Sequence, residues 1–199
     1  MTKALVRLLI REPIPESMSQ DREILRRLAG EVAELGRPPE QQNPTRCWTA
    51  LNDLKPERPM VWITEIPWGE VENDIDELRP VCEDRQLRGM EIGLRRLLFI
   101  GKHLECDHVV LPECHVAKAI SGEGYGVAIE EERIEQGKSG IQSHHYKPAI
   151  KEYEDTEKIR MPVITHDEQE TERRLAWHRD LFGDLLEVKV TGRRHHFFN

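Results

Sequence analysis

The feature that most constrains the fold is an alternating segment, residues 185–192 (Leu-Leu-Glu-Val-Lys-Val-Thr-Gly). Leu186, Val188 and Val190 alternate with polar residues, which is the periodicity of a β-strand. The segment follows a helix that we predict to be capped by Asp167 and to run to about residue 186. Because a strand that follows a helix usually opens a βα unit with later parallel partners, we expect the 199 residues to be the front part of a longer enzyme.

Composition narrows the classes of protein to which the chain can belong. It is 38% apolar and 33% charged, which is enough for a core but leaves some faces in need of partners. A net charge of -8 argues against a nucleic-acid or anionic-membrane binder. Residues 1–10 lack a signal-peptide layout, and no window reaches about 18 uncharged apolar residues, so no membrane span is predicted. Four cysteines without framework spacing favour the cytoplasm.

Periodicity and turn residues predict the remaining elements. The expected helices cover residues 21–35, 44–54, 84–103, 154–159 and 167–186. The expected strands cover residues 59–64, 108–112, 124–130 and 185–192, and residues 141–146 are either a strand or an extended loop. The order, helices first and then mixed strands and helices, indicates an α+β front part that passes into an α/β fold.

One group of metal-ligand residue types is dense enough to consider as a zinc site. It consists of His103, Cys106, His108, Cys114 and His115. The group contains no CxxC pair and no histidine pair at helical spacing, so its spacing argues against a metal. We therefore predict no metal site here and interpret these side chains as ordinary buried or half-buried residues.

Two further clusters are candidates for substrate binding. His144 and His145 lie in an extended segment, where they point to opposite faces, so one of them can enter a given site. The alternative is one buried, hydrogen-bonded histidine and one exposed histidine. Trp62, Trp68 and Glu70 surround a proline turn, and an indole beside a carboxylate can line a pocket, although tryptophan is more often core.

Short stretches spread along the chain resemble the front region of the uroporphyrinogen decarboxylase-like superfamily. The matching stretches are residues 46–48, 51–56, 58–61, 65–68, 87–89, 94–97, 112, 117–119, 143–146, 155–159, 161–162, 165–168 and 171–174. The resemblance spans most of residues 46–192 and is collective. The group that it resembles most is that of bacterial proteins classed with cobalamin (corrinoid)-dependent methyltransferases.

The resemblance implies a TIM-type (β/α)8 barrel that this chain begins and does not complete. Residues 1–184 would be an N-terminal α+β elaboration with helices and a mixed sheet, and residues 185–199 would start the barrel. Because barrel enzymes place their sites after the strands, His195 and His196 become the expected catalytic residues.

The resemblance also implies an activity for the longer parent protein. That activity is corrinoid-dependent methyl transfer, with zinc and a corrinoid as cofactors and with a corrinoid protein or a small molecule as partner. A decarboxylase (lyase) of the same fold is the alternative, but the family's arginine-rich motif and catalytic aspartate have no match in this sequence. A non-catalytic interaction module that covers its strand edge, for example as a homo-oligomer, is the other alternative.

Overall fold

The computed structural model describes residues 16–37, 39–122, 125–127, 130–135 and 142–192. Its α-helices are α1 (Glu16–Gly36), α2 (Gln42–Asn52), α3 (Trp68–Asp74), α4 (Arg85–His103) and α5 (Glu168–Phe182). Its strands are β1 (Glu113–Ala117), β2 (Ala119–Gly122), β3 (Glu130–Glu135), β4 (Gln142–Lys147), β5 (Ile164–Asp167) and β6 (Glu187–Thr191). This mixed content confirms the α/β class at a coarse level, and the described residues form no TIM barrel.

The chain divides into two compact units. The first unit contains Met1–Ile63 and Glu77–Pro112, and the second contains Thr64–Asp76 and Glu113–Asn199. In the first unit α1 packs against α4. The side chains that α1 buries recur at helical spacing, which is why its sequence pattern predicts the helix. They are Asp21, Leu25, Leu28, Ala29, Val32 and Ala33.

A fully buried carboxylate on α4 organises the turn that precedes this helix. Glu91 accepts the backbone N–H groups of Val81 and Cys82, at 2.9 and 2.8 Å, and the Nε–H of Arg95 at 2.8 Å. Burial alone would raise the pKa of Glu91, but the hydrogen bonds from Cys82, Arg95 and Val81 outweigh it, so the pKa lies below its usual value. Burial, reinforced by Glu91, raises the pKa of the Cys82 thiol to about 12. The charge of Glu91 is therefore fully compensated inside the unit.

Asp21 fixes the start of α4 from the opposite helix. Its carboxylate accepts the backbone N–H groups of Glu83, at 3.0 Å, and of Asp84, at 2.9 Å. Asp84 in turn caps α4, because its side chain accepts the N–H groups of Gln86 and Leu87 at 2.9 Å each. The beginning of α4 thus depends on one local and one long-range carboxylate.

The second unit contains three two-stranded sheets within the described residues. β1 pairs with β6 in parallel, whereas β2 with β5 and β3 with β4 are antiparallel pairs. α5 packs against β1, β2 and β6. Asp167 caps α5 by accepting the N–H of Glu170 at 2.8 Å, as its sequence predicts. The apolar side chains buried around this helix are Val116, Ala119, Leu175, Leu181, Phe182 and Leu186.

Two predicted strands are wrong: residues 59–64 and 108–112 form no strand. Val61 and Asp107 are the point where these segments meet. The Asp107 N–H donates to the Val61 carbonyl at 2.9 Å, and the Val61 N–H donates to the Asp107 carboxylate at 2.8 Å. Because the Val61 N–H donates to the Asp107 side chain, it cannot donate to a neighbouring strand, and no ladder of backbone hydrogen bonds forms. Val61 and Trp62 are half exposed, not buried as expected.

The strand predicted at residues 124–130 is also wrong over residues 125–127. Gly126 has φ +82, a left-handed conformation that glycine adopts readily, so residues 125–127 turn and the strand β3 starts at Glu130. Residues 124, 128 and 129 lie outside the described part. The segment 141–146, left open between strand and loop, contains the strand β4. The helix predicted at residues 154–159 is a 3-10 helix, Tyr153–Lys158.

Candidate functional site

The parallel pair of β1 and β6 is the element of the second unit that best matches a site-bearing scaffold. Its register runs from Glu113 opposite Glu187 to Ala117 opposite Thr191. Beyond the register, the Lys118 N–H donates to the Thr191 carbonyl at 3.0 Å. The sequence predicts that β6 pairs with later strands. In the structure β6 pairs with an earlier strand, β1. The carboxyl ends of both strands meet at one edge, which is where α/β enzymes place their chemistry.

One face of this pair is apolar and incompletely covered. Cys114 and Val116 lie opposite Val188 and Val190, so these four side chains share a face. Val116 is 2% exposed, whereas Val190 is 37% exposed. Burial raises the pKa of the Cys114 thiol, so this cysteine stays protonated and behaves as an apolar side chain.

The other face carries a cluster of charged and titratable groups. The Lys189 ammonium lies 2.6 Å from Glu113 Oε1 and 3.0 Å from Glu187 Oε2. His115 Nε2 lies 3.2 Å from the second oxygen of Glu113, Oε2. The hydrogen bond that Lys189 donates to Glu113, followed by the one that it donates to Glu187, raises the pKa of Lys189, so the ammonium stays charged. A carboxylate beside an imidazole orients the ring as a proton acceptor or donor, and His115 can serve in that way.

The residues of this cluster lie at different positions along the two strands. Glu113 and Glu187 are the first residues of their strands, so the ion pairs with Lys189 join the amino-terminal ends. In barrel enzymes the amino-terminal ends of the strands typically contribute to stability, whereas the active site lies at their carboxyl-terminal ends. His115 lies midway, and the carboxyl edge is formed by Ala117 and Thr191.

The predicted substrate-binding residues lie on two separate elements of the second unit. Trp68 begins α3 and is half-buried, and Glu70 is an exposed residue of its first turn. His144 and His145 lie on β4, where they pair in register with Arg133 and Glu132. His145 is exposed.

The predicted catalytic residues, His195 and His196, lie outside the described residues. They follow β6 by a few positions in the chain, so their assignment stays a prediction based on the resemblance.

The first unit contains an aromatic cluster of Trp48, Trp62 and His108, of which the sequence indicated only Trp62 as a candidate for substrate binding. The ring of Trp62 stacks on His108 with a centroid distance of 4.3 Å and meets Trp48 edge-on at 5.8 Å. His108 Nδ1 is buried and has no hydrogen-bond partner among the described residues. Burial lowers the pKa of His108, so the imidazole is neutral near pH 7. Sequence could have found the pair only if the two apolar runs carrying Trp62 and His108 had been predicted as neighbours.

Asp107 holds this cluster in place. Its carboxylate forms an ion pair with both terminal nitrogens of Arg58 and accepts the Val61 N–H, and its backbone carbonyl accepts the Trp48 indole N–H at 2.7 Å. The hydrogen bond from Arg58, followed by that from Val61, lowers the pKa of Asp107 to about 2. The arrangement fixes Trp62 over a neutral imidazole and leaves half of the indole open to solvent.

The described residues do not supply the zinc site that the resemblance implies. Across those parts of the chain, no three His, Cys, Asp or Glu side chains are grouped so that they could hold a metal ion.

Every helix of the described part falls short of the length or the apolar character that a membrane crossing requires.

Comparisons of the chain with family models, with curated proteins and with solved structures give no match.

Proposed function

We propose that this chain forms the N-terminal part of a uroporphyrinogen decarboxylase-like enzyme that carries out corrinoid-dependent methyl transfer. The observation that supports the proposal best is the parallel pair of β1 and β6, which has no further strand on either edge among the described residues. Parallel strands occur almost only in larger sheets with both faces covered. A two-stranded parallel pair with a partly uncovered apolar face is thus a unit that further strands complete, as a TIM-type barrel would.

The site of the proposed enzyme lies at the carboxyl edge of this pair. Thr191 ends β6 at that edge, and the chain leads from there to His195 and His196. In the proposal these two histidines move a proton to or from the substrate, since histidine titrates near neutral pH. His115, which lies beside Glu113 on β1, is a described histidine with the same capacity. Substrate contacts are proposed for Trp68 and Glu70 on α3 and for His144 and His145 on β4, the residues that the sequence indicated.

The proposal is tested with the full-length protein and methylcobalamin, with a thiol as methyl acceptor. Loss of the methyl–cobalt absorbance with turnover is the expected result. General acid–base catalysis typically contributes about 10²–10⁴-fold, so the double variant His195→Ala, His196→Ala should lose about two orders of magnitude in rate. His103→Ala, an exposed histidine of the first unit, is the matched control and should retain the wild-type rate.

Absence of demethylation in the presence of a corrinoid protein and a range of methyl acceptors would count against methyl transfer. Release of CO2 from a carboxylated substrate by the same preparation would instead favour the lyase. A protein that does neither, yet binds a corrinoid protein stably, would be a non-catalytic module. A wild-type rate in the histidine double variant would refute the site while leaving the reaction in place.

A further inference from the structure

A second candidate site is a cavity of about 350 Å³ in the second unit. It is bordered by the start of β3, by the end of β4 and by the 3-10 helix Tyr153–Lys158. Its volume falls at the lower end of the range of about 300–1,000 Å³ that small-molecule sites occupy. The cavity contains none of the residues that carry the proposed methyl transfer, so it is an independent feature of the molecule.

The charges that border the cavity are mostly positive. Three lysines, Lys147, Lys151 and Lys158, line it together with two carboxylates, Glu130 and Asp155. The described lining residues include no arginine. Lysine binds phosphate as a point charge, so this lining suits an oxyanion such as phosphate.

Asp155 does not compete with a ligand, because its oxygens are already used within the loop. Oδ2 accepts the backbone N–H groups of Lys151, at 2.9 Å, and of Glu152, at 3.1 Å. Oδ1 accepts the Lys158 ammonium at 2.6 Å. The hydrogen bonds from Lys158, Lys151 and Glu152 hold the pKa of Asp155 well below its usual range. Asp155 thus fixes the backbone of Lys151 and the ammonium of Lys158 at the cavity wall.

The other two ammonium groups are available to a ligand. Lys147 pairs with Glu132 at 2.7 Å, but both side chains are about half exposed, and exposed pairs of this kind are weak and readily exchanged. Lys151 has no side-chain hydrogen bond or ion pair within the part of the chain that the structure describes. A cationic group without a protein partner at a concave surface favours an anionic ligand.

The geometry points to this cavity as a binding site for a small phosphorylated molecule, held by Lys151 and Lys147 with Lys158 as the fixed third charge. The phosphate dianion replaces Glu132 as the partner of Lys147 and supplies a side-chain partner for Lys151, which has none among the described residues. The site needs no metal and no part of the methyl-transfer proposal, so each proposal can fail without the other.

The test is calorimetric titration of the full 199-residue chain with pyrophosphate and with inorganic phosphate at physiological ionic strength. One molecule of pyrophosphate should bind per chain. Lys151→Gln and Lys147→Gln should each weaken binding by about tenfold, the loss expected for one charge-assisted hydrogen bond. Lys55→Gln, an exposed lysine of the first unit, is the matched control and should bind as the wild type does. Circular dichroism spectra of the three variants should match the wild type.

Four results would overturn the assignment. The first is no heat of binding with either anion, and the second is equal affinity in the wild type, Lys151→Gln and Lys147→Gln. The third is an equal loss in Lys55→Gln, which would indicate attraction to the whole surface and not to the cavity. Succinate binding as tightly as pyrophosphate would also overturn it, because the site would then recognise carboxylates. Having two cavity variants keeps the test decisive even if one of them unfolds.

Discussion

Asp107 illustrates how a single side chain can take the place of a predicted strand ladder. Its carboxylate receives two bonds from Arg58 and one from Val61, and its backbone receives the Trp48 indole. The sequence alone does not reveal this contact, because hydrophobic periodicity identifies the two apolar segments and not a polar contact between them. The consequence is an extended segment that is fixed in place while Trp62 remains half exposed.

The stability of the first unit should therefore depend on the charge of Asp107. Its pKa of about 2 lies below the ordinary value of 3.8, so its contribution to folding is fully present above pH 3.8 and is lost as the pH falls through about 2. Asp107→Asn should lower Tm at pH 7, and the difference from the wild type should close between pH 3.8 and pH 2. Thermal melts followed by near-UV circular dichroism of the tryptophans at each pH measure this.

Asp53→Asn is the control for that series, since Asp53 is an exposed residue after α2. Its melting curve should follow the wild type at every pH. A difference between Asp107→Asn and the wild type that persists unchanged at pH 2 would show that the charge of Asp107 is not what stabilises the unit.

At the scale of elements, the long helices were more predictable than the strands, for a physical reason. A helix closes its hydrogen bonds locally, so α4 and α5 follow from capping residues and apolar spacing, and α1 follows from apolar spacing. The short helix α3 was not predicted. A strand often pairs with a segment distant in sequence, and hydrophobic alternation does not identify that segment. The runs at 59–64 and 108–112 have strand composition but form no ladder.

The cap of α4 gives a quantitative prediction at this scale. Asp84→Ala removes the acceptor for the Gln86 and Leu87 N–H groups and should lower the free energy of unfolding by about 1 kcal/mol. Asp84→Asn keeps a side-chain oxygen and should recover most of that loss. Urea unfolding of the three proteins, compared through the midpoint at a constant slope, measures the effect. Equal destabilisation by both substitutions would mean that the cap is not what stabilises the helix start.

For the whole molecule, the central question is what completes the pair of β1 and β6. The sequence predicted β6 correctly as a strand but left it without a partner in this chain. The partner is β1, and the two are linked by a long crossover that includes α5, a connection that local periodicity cannot reveal. Of the candidate site, sequence proposed the histidines that follow β6. It missed the cluster of Glu113, His115 and Lys189, because these residues meet only once the strands pair.

The most direct test of this account is a crystal structure of the protein as its gene encodes it. The account predicts that the outer edge of β1, of β6 or of both is hydrogen-bonded to a further parallel strand, and that a second layer covers the side chain of Val190. A structure in which β1 and β6 remain a two-stranded pair, with both edges and Val190 in solvent, would contradict it.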